Sequence, residues 1–174
     1  MLLPIRIVIA WFVAVAVHES FHYFVLRLCG LNVRCIVISA TGVKIQVNEL
    51  QGFTEIVSAL AGPLGGATLL LLRRWLPYAA ILGAAHSCVN LLPIGSLDGG
   101  RAMRAILVKL LGSQVGVLVY RLLSYIFLAT LIVLGICLCL HLHLSFLTVL
   151  IVCIFFTSKL IRKFPCKPTK QIVQ

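Results

Sequence analysis

Acidic side chains are nearly missing from this chain: four Asp and Glu stand among 174 residues, against fifteen Lys and Arg. Charged residues of both signs make up only 11%, where an ordinary soluble domain carries roughly 25%. That scarcity excludes a protein whose whole surface faces water. Also missing is any Cys-x-x-Cys pair; the cysteines at 29, 35, 88, 137, 139, 153 and 166 are odd in number and lie mostly within apolar runs. Neither a disulfide framework nor a thiolate metal site fits that pattern, so they read as small core hydrophobes. A charged leader is nearly absent too. Ala14, Val15 and Ala16 satisfy the small-residue rule for signal cleavage, but the apolar pattern continues past them to Leu28, and a spanning helix is expected there instead.

What the chain does have is apolar length. Hydrophobic residues form 61% of it, and several stretches reach the ~18 to 20 residues that a bilayer-crossing helix needs. The expected fold is an all-α polytopic membrane protein of about five transmembrane helices, with a small membrane-associated β-hairpin after the first span. Span one runs from Pro4 to Leu28 and ends at Gly30. Short β-branched runs over 33 to 50, broken at Thr41 and Gly42, predict the hairpin. Span two covers Phe53 to Leu72 and contains Ala61, Gly62, Pro63, Gly65 and Gly66, small residues suited to close helix packing in a membrane. Gly62 and Gly66 share a G-x-x-x-G spacing that reads as packing within one chain. Span three, Trp75 to Ile94, leads into Asp98 and a juxtamembrane helix carrying Arg101, Arg104 and Lys109. Spans four and five fall near 122 to 140 and 144 to 160. Three units follow: a catalytic membrane core at 1–110, two accessory spans at 111–160, and a basic tail at 161–174.

The formal net charge of +11 is no sign of a nucleic-acid partner, because the bases cluster at the ends of apolar segments and in the tail. Positive-inside topology and anionic lipid headgroups account for them. With the N-terminus outside, twelve of the fifteen bases fall on the cytoplasmic side, leaving Arg6, Arg73 and Arg74 outside. Spans one and three then run in the same direction, and His18, His22 and Asp98 all lie toward their cytoplasmic ends.

His18, Glu19, Ser20, Phe21 and His22 form an H-E-x-x-H sequence inside a span. Residues four apart share a helical face, so both imidazoles can point at one ion while Glu19 takes a proton from an activated water. Ionisable groups within a span cost ~2.5 to 3.5 kcal/mol each on insertion scales, so three in five positions call for a function. A catalytic zinc needs a third protein ligand, and the scarcity of acids narrows the search to Glu49, Glu55 and Asp98. The first two suit solvated or interfacial charges beside the hairpin. Asp98 follows an apolar span and is trailed by Gly99 and Gly100, which let backbone and metal approach closely. His86, in span three, and the pair His141 and His143, between the last two spans, are weaker signals; the pair reads as loop or interface residues rather than a second metal site.

At three separated places the chain resembles the site-2 protease family of intramembrane metalloproteases: His18 to His22; Ala61, Gly62, Pro63; and the run from Asn90 through Pro93 to Asp98 and Gly99. It is most similar to the subgroup that includes the sporulation protease acting on a pro-sigma factor. The resemblance covers about residues 4 to 110. It implies one Zn2+ held by His18, His22 and Asp98, Glu19 as the base, and Asn90, Pro93 and Gly99 in the motif that shapes the site and the substrate's approach. The implied substrate is a transmembrane or membrane-associated protein, the setting a bacterial cell membrane with the active site toward the cytoplasm, and control a membrane regulatory partner. Two positions depart from the family pattern: Phe21 stands where glycine is common, and Gly95 or Ser96 where a proline is usual.

A substrate helix must unwind before its peptide bonds can be reached, and an edge strand near 43 to 47 offers a place for the extended segment to pair. Two other classes remain for comparison. An inactive relative that binds membrane partners is motivated by Phe21. A metal transporter needs ionisable residues through both leaflets, whereas here they gather on one side.

Overall fold

The computed structural model of the chain describes residues 2–31, 33–39, 42–47, 52–95, 97–142 and 154. The expected fifth span, the tail at 161–174, His143, Glu49 and Ser96 lie outside the described residues.

Among the described residues, five α-helices, one short 3-10 helix (Leu69–Leu72, directly after α2) and two strands follow one another: α1 (Leu2–Leu28), β1 (Val33–Ser39), β2 (Gly42–Val47), α2 (Phe53–Thr68), α3 (Pro77–Asn90), α4 (Asp98–Leu111) and α5 (Ser113–Leu142). The first helix stops where glycine permits it. Gly30 has φ +74°, and Leu31 donates its N–H to the Leu26 carbonyl at 3.1 Å, a Schellman closure that uses the left-handed conformation. Strands β1 and β2 pair antiparallel, from Ser39 opposite Gly42 to Val33 opposite Val47, with an irregularity between Val33 and Cys35.

Alanines make up most of the buried apolar positions among the described residues, beside Leu26, Leu69, Ile94, Leu97, Tyr120 and Leu128, while many large apolar side chains face outward. Ala10, Ala14, Ala59, Ala61, Ala79, Ala80, Ala102 and Ala105 are buried, while Ile9, Trp11, Phe12, Leu64, Ile81, Leu118 and Ile126 are exposed. Lipid tails are as apolar as leucine, so nothing drives the large side chains inward, and small residues let the helix backbones come together. The same logic corrects the reading of the cysteines: Cys29, Cys88 and Cys137 are free thiols on the outer surface, not core residues.

Helix α2 is the hub. Its Ser58, Ala59, Ala61, Gly62, Pro63, Gly65 and Gly66 are all buried. A Cβ at Gly66 would meet the Ser87 side chain and stand 3.1 Å from the Gly83 carbonyl on α3. The two helices therefore touch nearly backbone to backbone.

Three helices among the described residues are long and apolar enough to cross a membrane: Leu3–Leu28, Phe53–Leu72 and Ser113–Cys137. The expected third span is shorter than predicted, and the fourth begins earlier. Helix α3 has 14 residues, about 21 Å at ~1.5 Å per residue against a hydrocarbon core of ~30 Å. Pro77 starts it late, and past Asn90 the backbone turns irregular over residues 91–95. Irregular backbone within a membrane bundle must have its polar groups satisfied, and α5 does this. Tyr120 donates its hydroxyl to the Gly95 carbonyl at 2.8 Å, and Ser124 donates to the Pro93 carbonyl at 2.9 Å. The two hydroxyls are one helical turn apart, so one face of α5 holds the segment that delivers Asp98.

Candidate metal centre

Three donor atoms meet where α1 approaches the start of α4. Nε2 of His18 lies 3.0 Å from Oδ2 of Asp98, Nε2 of His22 lies 3.2 Å from the same oxygen, and the two nitrogens are 3.2 Å apart. All three residues are buried. Donors of a tetrahedral zinc site with bonds of ~2.0 to 2.1 Å stand ~3.3 Å from one another, so this nearly equilateral triangle has the dimensions of one face of such a site. Hydrogen bonds alone account for it less well: each imidazole can donate to the carboxylate, which leaves the edge between the two nitrogens unbonded.

The ligand atoms are aimed by what stands behind them. His22 Nδ1 donates to the Ser58 carbonyl on α2 at 2.6 Å, which turns Nε2 toward the cluster and fixes the ring, the usual outer partner of a ligating histidine. His18 Nδ1 is buried with no hydrogen-bond partner among the described residues. Asp98 opens α4, where a negative charge is favoured by the helix N-terminus. Its second oxygen, Oδ1, receives Arg101 Nη1 at 3.4 Å. Burial by itself raises a carboxyl pKa; hydrogen bonds from His18 and His22, with the charges of His22 and Arg101, reverse this and hold Asp98 well below the usual carboxylate range.

Gly62 makes the space. A Cβ there would stand 2.6 Å from His18 Nε2 and from His22 Cε1, and nearer still to His22 Nε2. The cradle on which the donors converge is therefore open only because α2 carries no side chain at this position. The G-x-x-x-G spacing splits into two jobs, Gly66 meeting α3 and Gly62 facing the histidines.

Glu19 is half-buried, and its electrostatic neighbours are His22, His18, Asp98 and Arg101. It thus flanks the cluster without joining it, as the H-E-x-x-H spacing requires. Glu55, the other described acid, pairs with Arg104 at 3.6 Å and so ties α4 to the first turn of α2, a structural role that agrees with its expected place at an interface. Gly99 packs on the Leu91 backbone, where a Cβ would come within 2.9 Å of Leu91 Cα and closer to its carbonyl. Asn90 closes α3, with Nδ2 2.9 Å from His86 Nε2.

Of the two departures from the family pattern, the one at Phe21 finds a physical reason. Phe21 turns its side chain to Gly65 on α2, where a Cβ would lie 2.6 Å from Phe21 Cβ; the bulk added on one helix sits where the other has none. Gly65→Ala is accordingly expected to destabilise the bundle by about 1 to 3 kcal/mol through overpacking. Combined with Phe21→Ala, it should cost less than the sum of the two single losses, read by unfolding in detergent; strict additivity would sink the pairing. Gly95 has φ +50°, whereas proline is locked near −65°, so a proline cannot occupy position 95 in this backbone; Ser96, the other position where one is usual, lies outside the described residues.

The structure brings together the donor atoms of His18, His22 and Asp98, the group expected from the sequence, with Glu19 beside them. The sequence offered His86 only as a weak signal, although its ring lies 4.7 Å from that of His18. Sequence reasoning also missed Ser58, which acts through a backbone carbonyl that any residue could supply, and Tyr120 and Ser124, which carry no motif. His141, at the end of α5, is exposed, in keeping with its reading as a loop or interface residue.

Residues 36–134, more than half of the chain, match the model of peptidase family M50. The matched stretch takes in Asn90, Pro93 and Asp98 and starts after His22. None of the curated proteins matches the chain. Among solved structures, the site-2 protease from Methanocaldococcus jannaschii is similar with a TM-score of 0.67, covering 100% of this chain and 84% of that one at 22% identity. At that identity the likeness speaks for the fold.

Proposed function

Since this chain belongs to peptidase family M50, we propose that it is an intramembrane zinc metalloprotease that hydrolyses peptide bonds in or near the transmembrane segments of other proteins. The observation that carries this reading is the buried triangle of His18 Nε2, His22 Nε2 and Asp98 Oδ2, left open by Gly62 and flanked by a glutamate.

In this reading His18, His22 and Asp98 hold one zinc ion. When bound there, zinc would supply Lewis-acid polarisation of the scissile carbonyl and activation of water. Glu19 takes the proton of the attacking water on its carboxylate and returns it to the leaving amine nitrogen. Ser58 and Arg101 keep the ligating groups aimed. Asn90, Pro93 and Gly99 shape the opening through which the substrate backbone arrives, and Asn90 offers its amide to that backbone. An extended substrate segment pairs with the free edge of β2 (Gly42–Val47), which leaves its scissile bond accessible and its polar groups satisfied. The site faces the cytoplasmic side of a bacterial cell membrane, where the excess of bases lies, and a membrane partner controls it.

Purified chain should contain one zinc per molecule, lost in Asp98→Ala. Membranes of cells expressing the intact chain should lack, or show as fragments, one or more transmembrane proteins that stay whole in cells expressing Asp98→Ala. Identical membrane proteomes, or zinc content indifferent to Asp98→Ala, would overturn the reading and favour an inactive relative.

A further inference from the structure

His86 is the one imidazole at the site to which the mechanism above gives no task. It contributes no atom to the group formed by His18, His22 and Asp98, yet it touches both sides of the machinery. Its ring packs edge-on against His18, with centroids 4.7 Å apart and planes at 77°. On α3 its Nε2 meets Asn90 Nδ2 at 2.9 Å, four residues on and therefore on the same helical face.

We propose that His86 is a positioning residue for Asn90: its Nε2 lone pair accepts an N–H from the Asn90 amide and holds that amide in one orientation beside the metal cluster. This rests on the reading of Asn90 as a group that meets the substrate backbone. An asparagine amide has two nearly isosteric orientations that exchange its donor and acceptor ends. A substrate backbone meeting the wrong end would find a donor opposite a donor. Binding one Nδ2 proton to His86 removes that ambiguity and leaves Oδ1 and the second N–H for other partners. The bond requires the neutral imidazole with its proton on Nδ1, because only that tautomer offers a lone pair at Nε2. Contact with His18 limits rotation of the His86 ring and so keeps its Nε2 turned toward Asn90.

The test uses the full chain in detergent micelles with three readouts. Zinc content in His86→Leu should stay at one per chain, since His86 holds no metal. In metal-free, 15N-labelled protein the side-chain amide cross-peaks of Asn90 should move in His86→Leu and return toward their original place in His86→Gln, whose Oε1 restores an acceptor. With a substrate in hand, His86→Leu should lower kcat/KM by about 10- to 100-fold, His86→Gln should recover to within about threefold, and His86→Leu should add nothing to Asn90→Ala. Unmoved Asn90 cross-peaks, losses that multiply in the double variant, a His86→Gln chain no better than His86→Leu, or zinc lost from His86→Leu would each overturn the proposal. Full cleavage by Asn90→Ala would instead overturn the reading of Asn90 on which it rests, while leaving the cross-peak result standing.

Discussion

Replacing Glu19 by glutamine is expected to cut substrate cleavage by about a thousandfold or more, at the upper part of what a positioned acid-base group contributes, while one zinc per chain remains bound. The two effects separate because Glu19 stands outside the donor triangle although its charge is coupled to all three members. Glutamine keeps the length and shape of the side chain and can still hydrogen-bond, but it cannot accept the proton of the attacking water. A glutamate left half-buried near two imidazoles and an arginine has ample electrostatic partners, so loss of its charge should leave the fold intact. The check is metal analysis and circular dichroism alongside cleavage of a co-expressed transmembrane substrate. Retained cleavage would remove Glu19 from the mechanism, and loss of zinc would make it part of the metal site.

Gly62→Ala is expected to empty the metal site without touching a ligand. The added methyl would lie 2.6 Å from His18 Nε2 and press still harder on His22 Nε2, so one of the imidazoles must swing away. His22 has little freedom to do so, because its Nδ1 is tied to the Ser58 carbonyl one turn earlier on the same helix as Gly62. Its ring is held between the new methyl and its own anchor. Losing even one of three ligands should lower zinc affinity by two orders of magnitude or more, beyond the about 10- to 100-fold typical of an outer partner, and cleavage should vanish with it. Overpacking at a buried site costs about 1 to 3 kcal/mol, offset in part by alanine's advantage of about 0.5 to 1 kcal/mol over glycine as a helix former, so the melting temperature in detergent should fall only modestly while zinc is lost. Full zinc occupancy in Gly62→Ala would show that the donors converge elsewhere than the structure places them.

These two substitutions differ in how visible they were beforehand. Glu19 stands in a five-residue pattern whose chemistry follows from helical periodicity alone. Gly62 belongs to a run of small residues that suits packing in any membrane bundle, and its reading as a packing glycine was right for Gly66 but incomplete for itself. Asp98 was legible for an unusual reason: with four acids in the chain, elimination could succeed where a protein of ordinary composition would have offered dozens. The third span was misjudged because hydropathy reports what lipid tolerates and not where helical hydrogen bonding stops. Pro77 and the turn after Asn90 shorten α3 to 14 residues, and hydroxyls 25 and 31 residues away along the chain stabilise the break.

By itself the sequence determined that this is a membrane protein of helices, that His18 and His22 share a face, that Glu19 flanks them, and that Asp98 is the acid available to complete the set. Each of these depends on composition or on the 3.6-residue period, both local properties. Only the tertiary structure decided that Gly62 opens the cradle, that the Ser58 carbonyl aims His22, that Gly65 accommodates Phe21, that α5 braces the Asp98 segment, and that His86 joins Asn90 to His18. Those contacts depend on the rotation and depth of each helix relative to the others. In a bilayer these are set by where small residues allow two backbones to meet, a matter of matching surfaces between helices that no single segment contains.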